Sequence, residues 1–134
     1  MPGVIIAVMS ANEKQVAHWR SGADEEWDVA LVLMDKGRTR HSLFFAHLSL
    51  EKTLKAHVCR ATGDVAPRIH ALLRLGELSG LKFDETQREL LAELDRYQLE
   101  GRYPELLDPP PSRAEADAEL ARAKELLEWL MSKF

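Results

Sequence analysis

The stretch Phe44-Phe45-Ala46-His47-Leu48-Ser49-Leu50-Glu51-Lys52-Thr53-Leu54-Lys55-Ala56 decides how this chain folds. Around it Leu43, His47, Leu50, Leu54, Val58 and Ala61 step by three and four, with Phe44 and Leu48 widening the stripe. That interval is helical, and Gly63 supplies the stop, so residues 39–62 are predicted as one long helix. Charged residues normally sit on the wet side of a helix, yet Glu51, Lys52 and Lys55 interrupt this apolar run. Glu51 and Lys55 have the i, i+4 spacing of an ion pair worth a few tenths of a kcal/mol on an open helix surface. Arg38, Arg40, His41 and Arg60 add positive charge along the same helix, as a solvated face or as an anion-binding groove.

Working outward, the flanking segments are helical too. Ser10 and Glu13 have capping-box spacing, followed by an apolar stripe of Val16, Trp19, Ala23, Trp27, Ala30 and Met34 that ends at Gly37. A short helix is predicted over 68–78, bounded by Pro67 before it and by Gly76 and Gly80 at its end. Asp84 and Gln87 form a variant capping box for a helix bearing Leu90, Leu91, Leu94 and Tyr97, which Gly101 is expected to stop. Residues 104–111, with three consecutive prolines, read as a stiff connector. Ser112 and Glu115 cap the last helix, with Ala116, Leu120, Ala123, Leu127, Leu130 and Phe134 on its stripe. No segment alternates like a half-buried strand. Long single-striped helices with short links make antiparallel neighbours, so the predicted fold is all-α. It is a four-helix up-and-down bundle with an additional short helix between the second and third long helices. Residues 1–9 are read as an N-terminal tail and 10–134 as the bundle.

Composition narrows the function classes. The 134 residues suffice for one core, and 46% apolar with 30% charged residues describe a globular domain. A net charge of −4 argues against bulk electrostatic attraction to nucleic acid or an acidic membrane. Any nucleic-acid role must therefore use a local basic patch. The single cysteine, Cys59, cannot form an internal disulfide, which suits a reducing cytoplasmic setting, and its place in the apolar helix reads as a small buried hydrophobe. The run Val4-Ile5-Ile6-Ala7-Val8-Met9 is too short for a membrane span or a secretory signal. No histidine pair at i, i+4 and no Cys-x2-Cys suggests a metal site, and no glycine-rich loop follows a strand to cradle a cofactor phosphate.

A second motif, Arg102-Tyr103-Pro104, lies about fifty residues after the first, where proline disfavours helix. Glu51-Lys52-Thr53-Leu54-Lys55-Ala56 with its preceding aromatics, Ile69-His70-Ala71-Leu72, and Arg102-Tyr103-Pro104 appear in the order seen in the HEPN family (higher eukaryotes and prokaryotes nucleotide-binding domain). The chain resembles that family over roughly residues 16–132. It departs at His47, where the family signature has glutamine, and at Ala71, where it has an acidic residue.

The resemblance implies a helical bundle that forms a homodimer or higher homo-oligomer and partners a minimal nucleotidyltransferase. It further implies a nucleotide- or RNA-binding role, with no cofactor, for Arg102, Tyr103, Lys52, Lys55 and His70. Arginine can fork onto phosphate and tyrosine can stack on a base. The bland alternative for Arg102 is a pair with an acidic residue such as Glu51. For His70 it is a structural hydrogen bond. Other members of the superfamily are metal-independent RNases, some of them toxins, with Arg-x4–6-His at the start of the last bundle helix. Here no histidine follows His70, so that site is degenerate and no catalytic residue is assigned. Arg40 and His47 match the spacing, but on a different helix. Three readings follow: a non-catalytic binding module, an RNase with a displaced Arg/His site, or a structural oligomerisation domain.

Overall fold

A computed structural model describes residues 8–102 and 109–134, with side chains described except at 99–102. Five helices run in the order α1 (Ala11–Asp35), α2 (Thr39–Thr62), α3 (Leu72–Ser79), α4 (Glu85–Arg102) and α5 (Arg113–Met131), and the described residues contain no strand. The tail over 1–7 and the connector over 103–108 lie outside the described residues.

Small side chains bring α1 and α2 together. Ala23 and Ala30 on α1 are fully buried, and opposite them Ser49 and Ser42 hydroxyls donate to their carbonyls at 2.8 and 2.7 Å. The paired positions fall one heptad apart on each helix, a regular antiparallel seam with backbones in close approach. At its far end the Asn12 side-chain amide donates to the Cys59 carbonyl at 2.8 Å. Gly37 and Gly63 adopt φ of +74° and +71°, the left-handed conformation that ends α1 and α2 where the sequence marks the stops.

The remaining helices pack on other faces of α2, which makes it the axis of the molecule. Leu43, Ala46, Leu50, Leu54 and Val58 join Leu72, Leu75, Leu91, Leu94, Ala123 and Leu130 in one buried cluster. Thr39 Oγ1 donates to the Pro111 carbonyl before α5, and His57 meets the Leu130 carbonyl at its end, so α5 runs parallel to α2. Arg122 pairs with Glu93, and Trp129 packs on Phe83 ahead of α4. Helix α4 is therefore antiparallel to α5 and to α2, giving up-down-up-down order for the four long helices.

Local capping follows the sequence at three starts. Ser10 accepts from Glu13 N, Ser112 from Glu115 N, and Asp84 and Gln87 cap each other reciprocally. The short helix differs from its predicted 68–78 span. It begins only at Leu72, because Ala71 is extended (φ −72°, ψ 117°) and the Leu72 N–H is capped at 2.8 Å by Asp95 Oδ1 from α4. Helix α4 likewise continues through Gly101 to Arg102. Ala61, placed on the α2 stripe by spacing, is exposed. Among the described residues, no helix is long and apolar enough to cross a membrane.

Candidate functional site

With neighbours on every side, α2 carries its charged cluster into the interior. Glu51, Lys55 and His47 are 4%, 6% and 1% exposed. A buried charge is tolerable only when paired and hydrogen-bonded. Glu51 Oε2 accepts from Lys55 Nζ at 3.0 Å and stands 3.1 Å from His70 Nδ1. Its other oxygen is 3.9 Å from His47 Nδ1. His47 Nε2 meets Asp95 Oδ1 at 3.1 Å, the oxygen that also caps α3. The lysine ammonium lies 5.2 Å from the centre of the Trp19 ring, a cation–π contact.

Two carboxylates, one lysine and two imidazoles thus form one continuous network across α2, α4 and the segment before α3. Its only half-exposed member is His70, at 48% side-chain exposure. One turn away, Lys52 Nζ pairs with Glu26 Oε1 of α1 at 2.7 Å. Lys55 and His70 are therefore brought together on Glu51, while Lys52 stands against Glu26 of α1. Arg40 and His47, which have the RNase spacing, do not form an open pair, since the imidazole is enclosed and held by Asp95.

Arg102 belongs elsewhere. Asp95 faces His47, and α4 is antiparallel to α2. Arg102 lies about two turns past Asp95 toward the start of α2, while Lys55 lies about two turns past His47 the other way. The end of α4 and the Lys55 network are consequently about 20 Å apart along the bundle axis. The Arg102 side chain and all of Tyr103 lie outside the described residues.

What stands at that end is the first turn of α2. Arg38, Arg40 and His41, with Gly37, Thr39 and Pro110, line a shallow cleft of about 180 Å³. Arg40 Nε is buried with no hydrogen-bond partner, and no side chain caps the helix at Arg38. Among the described residues, none of these three basic side chains is ion-paired. The sequence shows the run Arg38-Thr39-Arg40-His41 plainly, but their lack of carboxylate partners depends on the fold. Sequence reasoning misses Asp95 and Glu26, which neutralise the middle of α2, because no local pattern joins them to it.

Two other ionisable groups are perturbed near α2. Burial pushes the Cys59 thiol up, with Asp64 adding to it, so the residue behaves as a core group rather than a thiolate. Burial also holds His57 below its ordinary value, opposed by its hydrogen bond to the Leu130 carbonyl and reinforced by Arg60 and Arg20. The described residues contain no group of three or more His, Cys, Asp or Glu side chains arranged to hold a metal ion.

Two solved structures share this architecture. TT1696 from Thermus thermophilus superposes with a TM-score of 0.76 at 23% identity, covering 90% of this chain and 98% of that one. ST0689, described as an archaeal HEPN homologue, gives 0.66 at 19% identity over 88% and 96%. At those identities the likeness speaks for the fold. A search of curated proteins gave no match. The family model of the HEPN domain matches residues 16–133, nearly the full length, and the chain belongs to the HEPN domain family.

Proposed function

We propose that this chain is a non-catalytic HEPN module that binds a nucleotide or RNA end and serves as the partner or substrate-binding subunit of a minimal nucleotidyltransferase. The observation that carries the reading is the unneutralised first turn of α2, toward which α4 delivers Arg102. Arg38, Arg40 and His41 present cationic or protonatable donors there without carboxylate partners among the described residues. Guanidinium groups fork onto phosphate, and Tyr103 follows Arg102 where an unpaired base could stack. Lys52, Lys55 and His70 are held against Glu26 and Glu51 roughly three to four turns farther along α2, and their part in the reading is to extend the binding surface along the bundle from the first turn. Self-association is part of the reading, through the face of α1 that leaves Val29 and Val32 38% and 58% exposed.

Calorimetric titration with a short RNA, before and after Arg40→Ala and Arg102→Ala, tests the binding site. Loss of binding in both variants with unchanged melting temperatures supports it. Equal binding by wild type and both variants would remove it. Co-expression with a nucleotidyltransferase encoded beside this chain tests the partnership, and separate elution of the two proteins would count against it.

One observation favours the RNase reading as a second possibility. Glu51 orients His70 through Nδ1 at 3.1 Å, and the half-exposed imidazole stands within reach of a substrate it could act on as acid or base. RNA cleavage abolished by His70→Ala would select it. Intact RNA after incubation with the wild type would dismiss it.

A further inference from the structure

Where α1 begins and α2 and α5 finish, a cleft of about 400 Å³ opens between the three helix ends. Val16 and Ala17 form an apolar floor, and Arg20, Arg60, Phe134 and Glu13 stand around it. The hydrogen bond from Asn12 to the Cys59 carbonyl fixes the floor against the last turn of α2. The volume falls in the range of small-molecule sites, and the lining pairs an apolar body with a few charged groups, as such sites do.

The arginines are held, yet their charge is unmatched. The Arg20 guanidinium lies over the Phe134 ring, 4.3 Å from its centroid. The His57 ring stacks on the same phenyl at 3.8 Å and 12°. Two groups so close must occupy opposite faces, so Phe134 is sandwiched and offers no free face to a nucleobase. Arg60 Nη1 reaches only the Lys133 carbonyl, at 3.4 Å. Neither arginine has an ion-pair partner among the described residues, and Glu13 is the single acidic side chain in the lining. The local excess of positive charge is felt at His57, whose protonation Arg60 and Arg20 both oppose in addition to burial.

We propose that this cleft binds a small organic anion, a phosphate or carboxylate carried on an apolar body. Arg20 and Arg60 take the anionic group, and Val16 and Ala17 lie beneath the apolar part. The site is separate from the first turn of α2 and does not depend on the nucleotide-binding reading. Occupancy also has a built-in reporter. An anion between the two guanidinium groups offsets their field at His57, so the imidazole gains protons more readily in the complex than in the free protein.

The test uses the full chain with phenyl phosphate, benzoate and inorganic phosphate as probes, following binding by calorimetry and His57 titration by NMR. Saturable binding of phenyl phosphate or benzoate is expected, with an upward shift in the His57 midpoint and about ten-fold weaker binding in Arg20→Gln and Arg60→Gln. The preferred probe of the two identifies phosphate or carboxylate as the natural head group. Arg40→Ala should leave this binding unchanged, which separates it from the proposed RNA site. Val16→Asp, at a half-buried position on α1, should abolish binding without unfolding the chain, as checked by circular dichroism. The proposal is overturned if neither aromatic anion binds. It is also overturned if inorganic phosphate binds as tightly as phenyl phosphate, or if both glutamine variants bind like the wild type.

Discussion

Lys55 and Arg40 sit about four turns apart on one helix, and their surroundings differ completely. The lysine is buried against Glu51 at 3.0 Å, inside a network that extends through His47 and His70 to Asp95. The arginine has its Nε buried without an acceptor, in a basic turn where no described side chain supplies a carboxylate. The middle of α2 has converted its charge into internal connection, and its start has kept charge available. Cationic residues in a sequence therefore do not announce free positive charge. The opposing helices decide that.

Breaking the middle should cost most. Glu51→Ala leaves Lys55 buried without its carboxylate, and removal of one partner from a buried pair typically costs about 3–5 kcal/mol. Urea denaturation should show a loss of that order. A loss below about 1 kcal/mol would mean that water reaches the lysine and that the two ends of the comparison are alike. Asp95→Ala removes the acceptor for both the Leu72 N–H and His47, and a loss of about 1–3 kcal/mol is expected. Hydrogen exchange should report it as faster opening at the start of α3, and unchanged protection at Leu72 would argue against this capping role.

The last turns of α2 sharpen the comparison through pH. His57 is held neutral, below its ordinary value of 6.5, chiefly by burial. Its folded value is lower than its unfolded one, so the unfolded chain binds the extra proton first. Stability is fully present above about pH 6.5 and declines as pH falls from there toward the folded value. Melting temperature followed downward from pH 7.5 should decline through that window, and His57→Phe should flatten this component. An equal slope in the variant would assign the decline to other groups. The smallest stability change belongs to the start of the helix. Arg40→Ala should alter unfolding free energy by no more than about 0.5 kcal/mol, while reducing the salt dependence of RNA binding. A large destabilisation would make Arg40 a structural residue.

Much of the scaffold was legible because helix starts and stops are local chemistry. Ser10, Ser112 and the Asp84–Gln87 pair cap where spacing places them, and Gly37 and Gly63 end their helices. The misplaced start of α3 shows the limit, since its cap is Asp95, delivered from another helix. The candidate site was less legible for the same reason. The Glu51–Lys55 pair is visible as i, i+4 spacing, but its burial and its extension to His70 and Asp95 are not.

By itself, the order of residues determined the order of helical segments, most of their apolar stripes and the family, because periodicity, caps and short motifs act over one or two turns. The tertiary structure alone decided which charges are neutralised and which are available. Helix direction sets that outcome: α4 runs antiparallel to α2, carrying Asp95 to His47 and Arg102 away from Lys55 toward the basic first turn.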